Sequence, residues 1–308
     1  LEKEPLKNIY EEISMLITEE ADPRFSRLDR SSIGDILRRI NSEDAKVSKA
    51  VRKEIPHIAK AVELILMNMK KGGRIFYFGA GTSGRLGILD AAECNPTFGT
   101  DPNLVQGIIA GGKETVFLSA EGAEDDISSI PIEFDRRKIS PPDIVIGLSA
   151  SKRTPFAVEA LKFGRKMGCP TIFITCNPRE DVDVDADVLI CPVVGPEVVA
   201  GSTRMKAALA QKMILTMLST TVMIKLGKLY KNFMVDLLDK SDKLSARSIR
   251  IVMNTVDCNF DRAVSLLKEA GGKVKTAVVM GKMSVKRTEA EKLIEDADGF
   301  LYKVFGEE

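Results

Sequence analysis

Arg74-Ile75-Phe76-Tyr77-Phe78-Gly79-Ala80-Gly81-Thr82-Ser83-Gly84-Arg85 is the stretch on which the fold turns. A short unbroken apolar run reads as a strand buried on both faces. It feeds directly into glycines and hydroxyls, where a strand gives way to a helix. Downstream the same rhythm recurs, with short apolar runs alternating with longer amphipathic segments. Parallel strands are predicted at 74–78, 105–109, 143–148, 171–176 and 188–191, and crossover helices at 83–92, 155–167 and 202–226. The fold class is therefore α/β, a parallel sheet sandwiched by helices. The last helix carries Met205, Leu209, Met213, Leu218 and Val222 and is expected to be largely buried, its methionines being core packing rather than a cofactor box.

Upstream, Ile58, Val62, Ile65 and Leu66 recur on one helical face, and the serines near Ser32 read as capping and loop chemistry. Beyond about residue 240 the patterning is again helical, broken at Gly271-Gly272. The expected organisation is a helical N-terminal segment over 1–55, a sheet domain over 56–238 and a small helical C-terminal domain over 239–308.

A chain of 308 residues can bury a full core without metal or disulfide staples. Its 45 Lys and Arg nearly cancel its 44 Asp and Glu, so no long-range field favours nucleic acid or an anionic membrane as a partner. The five cysteines form no CxxC pair, and the single histidine, His57, gives them little help toward a zinc site. The first twenty residues lack the basic start and apolar run of a secretory signal, and no apolar run is long enough to span a membrane; the expected compartment is the cytoplasm.

The turn Gly79 to Arg85 suits an oxyanion. Glycine admits close backbone approach, the unpaired amides of a helix start point outward, and Thr82 and Ser83 add donors beside Gly81 and Gly84. A tight turn with an ordinary cap explains such a loop almost as well. The bare GxGxxG spacing is met by Gly79, Gly81 and Gly84, yet a dinucleotide ranks low: Thr82 and Ser83 fill the turn, and no acidic ribose partner follows on the next strand. The lysine of a P-loop is missing. A second cluster, Ser149, Ser151 and Thr154, follows the third strand, with Pro155 placed to open a helix. Two such clusters at separate strand ends favour a bound phosphomonoester.

Two carboxyl groups in different environments can act as a general acid and a general base. Glu93, late on the helix that starts at the first loop, and Glu124, in an acidic glycine-containing turn, are the candidates. Taken alone, either reads as a solvated surface charge.

The runs Gly79 to Gly87, Glu93-Cys94 with Pro96-Thr97, Glu121 to Asp125, and Gly201-Ser202-Thr203-Arg204-Met205-Lys206-Ala207 resemble, in order and spacing, those of the N-acetylmuramic acid 6-phosphate etherase family. The likeness continues through Ala210-Gln211-Lys212 to Met234-Val235-Asp236 and covers about residues 30 to 300. It implies a sugar isomerase (SIS) type domain with a helical tail, and a homodimer with sites near the subunit interface. It also implies cleavage of a D-lactyl ether by water without cofactor or metal, with Glu93 as proton donor and Glu124 as second catalytic glutamate. Ser202, Arg204 and Lys206 join the binding set, the two cations facing a lactyl carboxylate or capping the helix. The family usually has Pro at Asn95, Gly at Lys152 and Gly-Thr at Ala208-Leu209, where Leu209 adds bulk to a packed helix. A phosphosugar aldose-ketose isomerase and a non-catalytic sugar-phosphate regulator are the alternatives. His57, in the helical lead-in, is poorly placed to open a sugar ring.

Overall fold

The computed structural model describes residues 7, 10, 11, 13–237 and 242–307. The expected boundary between 238 and 239 lies outside them. The chain divides into two compact units, Leu1–Ala91 with Asn103–Leu218, and Ala92–Pro102 with Ser219–Glu308.

In the first unit Ser32 caps α1 (Ile33–Asp44), its Oγ accepting from the Asp35 amide at 3.2 Å. Next come α2 (Val47–Lys53) and α3 (Ile55–Met69), which buries Ile58, Ala61, Val62 and Ile65 along one face. The expected division at 55/56 falls at the start of this helix. Then follow β1 (Ile75–Gly79), α4 (Gly81–Phe98), β2 (Val105–Ile109), α5 (Ser129–Arg137), β3 (Ile144–Leu148), α6 (Pro155–Met167), β4 (Thr171–Ile174), β5 (Val188–Ile190) and α7 (Lys206–Lys225), the residues of α4 after Ala91 and of α7 after Leu218 belonging to the second unit.

The five strands are parallel in the order β2-β1-β3-β4-β5, with Gly79 level with Ile109 on one side and Leu148 on the other. Every residue of β1 and β3 is buried, as continuous apolar runs require when both faces are covered. On one face Phe76, Phe78, Val145 and Phe173 pack with Ile130 and Phe134 of α5 and Phe156 and Leu161 of α6. The Phe78 and Phe134 rings stack at 5.5 Å. Helix α4 lies close to the sheet because two glycines allow it. A Cβ at Gly107 would come within 2.6 Å of Ile88, and one at Gly87 within 2.9 Å of the Tyr77 side chain.

Helix α7 differs from its expected pattern. Ala207, Ala210, Gln211, Ile214, Leu215, Leu218 and Val222 form the buried stripe; Met205 and Met213 are half-buried, and Leu209 is 38 % exposed. Leu209 thus adds its bulk to an outer face. By length and composition alone this helix could cross a membrane, although Gln211 and Lys212 interrupt its apolar run. Its most apolar window is 56 % buried within the protein, and its first turn is bonded to acidic side chains described below, as suits a core helix.

The second unit holds the short hairpin β6 (Leu229–Tyr230) and β7 (Phe233–Met234), then α8 (Asp242–Val256), α9 (Phe260–Glu269), α10 (Val274–Met283), α11 (Arg287–Asp296) and α12 (Leu301–Val304). Val235, Ile251, Val252, Leu266, Val278 and Leu301 are among its core residues. Gly271 and Gly272, both at positive φ, make the break between α9 and α10. All five cysteines are free thiols. Burial pushes Cys169 and Cys191 up to about 11, so both stay protonated and unreactive at neutral pH.

Candidate functional site

The order of strands reverses between β1 and β3, and ligands of open parallel sheets bind beyond the carboxyl ends of the strands at such a reversal. After β1 the chain turns at Gly81, whose φ is +50° and whose missing Cβ leaves open space. Gly84 is packed tightly: a Cβ there would meet Gly79 O at 2.6 Å and Ile109 Cγ1 at 2.7 Å. Helix α4 therefore begins directly against the strand end with its first-turn amides facing outward, and Thr82 and Ser83 stand half-buried beside them. Ser83 Oγ donates to Gln211 Oε1 at 2.8 Å, which ties the loop to α7. Gln211 is fully buried, and among the described residues its Nε2 has no hydrogen-bond partner.

The second hydroxyl cluster is built around itself. Ser149, fully buried, donates to Thr154 Oγ1 at 2.9 Å and accepts from the Thr154 amide at 3.2 Å. Ser151 is half-buried, so it is the more exposed of the three hydroxyls. Pro155 occupies the first turn of α6 as expected. Asn177 Nδ2 and the Cys176 amide both donate to Ala150 O and hold the turn from behind.

Lys152 stands in this turn at φ +64°, and its Nζ reaches Asp181 O. Side chains in the left-handed region crowd the following carbonyl, at about 1–2 kcal/mol. Lys152→Gly is expected to stabilise the protein by about 0.5–1 kcal/mol, because relief of that crowding outweighs the extra freedom of the unfolded chain. A higher urea midpoint at unchanged m-value would show it.

Beyond β2, Gly111 and Gly112 at φ +77° and +79° reverse the chain, and Thr115 Oγ1 closes the reversal with bonds to Ala110 O at 2.8 Å and Gly112 O at 2.7 Å. Left-handed Gly122 then starts the short turn Ala123–Asp125 that presents Glu124. Glu124, Gly81, Arg85, Thr115 and Ser119 line a cavity of about 190 Å³. Small-molecule pockets usually measure about 300–1,000 Å³, so this one has room for part of such a ligand rather than all of it. Arg85 Nε donates to Val116 O at 2.8 Å and Nη2 to Thr115 O at 2.6 Å.

Desolvation raises the Glu124 carboxyl above its ordinary value, and the charges of Asp125 and Glu121 push the same way, against Arg153. A carboxylate raised in this manner is a better proton acceptor. Glu93 is exposed on the later turns of α4, in the Ala92–Pro102 stretch of the second unit. Nearby Asn95 Nδ2 bonds Thr100 O.

Among the other predicted binding residues, Ser202 is half-buried and Arg204 exposed, both in the turn before α7. Lys206 is 1 % exposed; its Nζ lies 3.0 Å from Glu43 Oε2, and Glu43 is also bonded by Lys46 and Arg24. The amides of Lys206 and Ala207 donate to the two oxygens of buried Glu197 at 3.0 and 2.9 Å, so a glutamate from the preceding loop caps α7. Burial nonetheless leaves the Glu197 carboxyl raised, because it outweighs those two bonds. Glu43, Arg85 and Gln211 act on residues far along the chain and carry no signal in the sequence, and Glu197 caps a helix from a loop with no marker of that role. His57 Nδ1 is 3.1 Å from Glu54 Oε2 on α3.

Hydroxyl-bearing turns after two adjacent parallel strands, with a carboxylate of raised proton affinity beside one of them, mark an α/β domain whose strand ends have the chemistry to receive an oxyanion. Residues 57–165 match the family model of the glucokinase regulatory protein N-terminal SIS domain. An N-acetylmuramic acid 6-phosphate etherase of Salinibacter ruber is 50 % identical over 295 residues, covering 96 % of this chain and 95 % of its own. One from Caldanaerobacter subterraneus is 48 % identical over 286 residues, covering 93 % and 94 %. Among solved structures, phosphoheptose isomerase from Neisseria gonorrhoeae aligns with 62 % of this chain and 98 % of its own at 18 % identity and a TM-score of 0.45. The chain belongs to the N-acetylmuramic acid 6-phosphate etherase family.

Proposed function

We propose that this protein cleaves the D-lactyl ether of N-acetylmuramic acid 6-phosphate with water, giving N-acetylglucosamine 6-phosphate and D-lactate in amino-sugar recycling. Identity of 50 % across nearly the whole of an etherase carries the reading. The first-turn amides of Gly81, Thr82 and Ser83 and the Thr82 hydroxyl hold the phosphate, with Ser151 from the second turn, while Gly84 and the Ser83 hydroxyl, bonded to Ala80 O and Gln211, brace the cradle. Ser149 and Thr154 shape that turn, and Ser202, Arg204 and Lys206 form or brace the remaining side of the site.

In the open-chain sugar the ether at carbon 3 is beta to the aldehyde. Glu124 takes the proton from carbon 2, the electron pair forms the carbon 2 to carbon 3 double bond, and the bond from carbon 3 to the ether oxygen breaks. Glu93 gives a proton to the leaving lactate oxygen. Water, deprotonated by a carboxylate, adds to carbon 3 of the unsaturated aldehyde, and carbon 2 is reprotonated. In this reading the enzyme works in the cytoplasm as a homodimer with its sites near the subunit interface.

The test is turnover of N-acetylmuramic acid 6-phosphate in heavy-oxygen water. The expected result is D-lactate release with label at carbon 3 of the sugar product. Label in lactate instead, or no lactate at all, sinks the proposal.

A further inference from the structure

We infer that Arg85 is a positioning residue for Glu124: it fixes the segment that carries this carboxylate to the helix whose first turn forms the anion cradle. The inference rests on the etherase reading, and it concerns a residue outside the proposed acid, base and phosphate ligands.

The stretch from Lys113 to Asp125 has little apolar anchorage. Phe117 and Leu118, its two large apolar side chains, are 85 % and 72 % exposed, so burial of hydrophobic surface does not hold it. Its beginning is fixed by the buried Thr115 hydroxyl. The Arg85 guanidinium grips the same root of the segment, taking two successive carbonyls, Thr115 O at 2.6 Å and Val116 O at 2.8 Å, and so sets the direction in which the chain leaves toward Glu124. A planar fork holding two acceptors sets orientation as well as distance, which a single ammonium cannot do.

Arg85 lies one residue after Gly84, in the first turns of α4, and lines the same cavity as Glu124. A phosphate seated on that helix start is therefore linked through one side chain to the root of the segment that carries the base, and that side chain shares a cavity with it. Binding energy from the non-reacting end of a substrate is used in this way to place groups at the reacting end. The loss expected on breaking the link is in turnover rather than in binding.

The test is steady-state lactate release by full-length Arg85→Gln, with amide hydrogen exchange on the same preparation. We expect kcat to fall by about 10²-fold, the cost of a misplaced catalytic group, with KM changed by no more than about threefold. Exchange over residues 113–125 should quicken while that of β1 and β3 stays slow. Arg85→Lys, which keeps the charge but not the fork, should recover part of the rate; it also serves as the test variant should Arg85→Gln fail to fold. Unchanged kcat, a rise in KM alone, or unaltered exchange over 113–125 overturns the inference. A wild-type protein that releases no lactate sinks the functional reading instead, and the exchange measurement still decides whether Arg85 holds the segment.

Discussion

Glu124→Gln is expected to lower lactate release by about 10²–10⁴-fold, the usual contribution of a positioned proton acceptor, while leaving the protein folded. The amide occupies the same volume but cannot take the carbon 2 proton. The pH dependence has a definite sign. A base works only when ionised, so activity is lost as pH falls through its pKa. Because desolvation, Asp125 and Glu121 raise that pKa, the acid limb should lie above the ordinary glutamate value of about 4.3. Asp125→Asn or Glu121→Gln should move the limb down, and Arg153→Ala should move it up. Opposite shifts would show that another group limits the rate.

Stability provides an independent check on the same residue. A carboxyl whose folded pKa is raised favours the native state below its unfolded value, and that advantage is lost as pH rises through the folded value. At neutral pH the ionised Glu124 is a burden on the fold. Glu124→Gln should therefore melt at or slightly above the wild-type temperature at pH 7, which separates lost chemistry from lost structure.

The sheet was legible because each strand is a short apolar run bounded by glycine, proline or charge, and a parallel strand covered on both faces has to be written that way. The misreadings have local causes. Helix α7 was expected from 202 but starts at Lys206, because the Glu197 carboxylate takes the amides of Lys206 and Ala207 while 201–205 forms a turn. The fourth strand was drawn to 176 and ends at Ile174, since the Cys176 amide turns to Ala150 O behind the second hydroxyl loop. Helix α5 escaped notice: only Ile130 and Phe134 are buried along it, and Pro131 and the charged residues at its end obscure so short a period.

For the candidate site, residue types are legible in the sequence and connectivity is not. Glycine and hydroxyl turns suit an oxyanion by composition but suit an ordinary helix cap almost as well, and Glu124 beside Glu121, Asp125 and Asp126 marks a crowded charge. Nothing in the spacing shows that Arg85 reaches thirty residues ahead, that Ser83 meets Gln211, or that Glu43 meets Lys206. Those contacts exist only once the sheet has brought its crossovers together. Lys206 illustrates the consequence: a cation in a signature run invites a ligand, yet in the folded chain its ammonium already has a carboxylate.

Glu43→Ala should destabilise the first unit by about 3–5 kcal/mol, the range for removing one partner of a buried ion pair, and lower its melting temperature by about 6–15 °C. Lys206 is 1 % exposed, and without Glu43 its ammonium loses its bonded carboxylate and keeps only the weaker pull of Glu197 and Asp22. The reverse change is milder. Lys206→Met leaves Glu43 with Lys46 and Arg24, so the loss should be about 1.5–3 kcal/mol, that of one charged hydrogen bond, partly offset by apolar packing. Combining Glu43→Leu with Lys206→Met should recover much of the deficit, because apolar replacement of a whole buried pair is often neutral. The pH response follows from the carboxyl. Burial raises the Glu43 pKa, but the bonds from Lys46 and Lys206 together outweigh it and hold the group below its ordinary value. Its contribution is thus complete above about pH 4.3 and fades as pH falls through the lower folded value. Denaturant titrations of wild type and Glu43→Gln should differ most at neutral pH and converge in acid. A constant gap across that range, or Lys206→Met proving costlier than Glu43→Ala, would mean that the cations around Glu43 do not share its charge as the geometry requires.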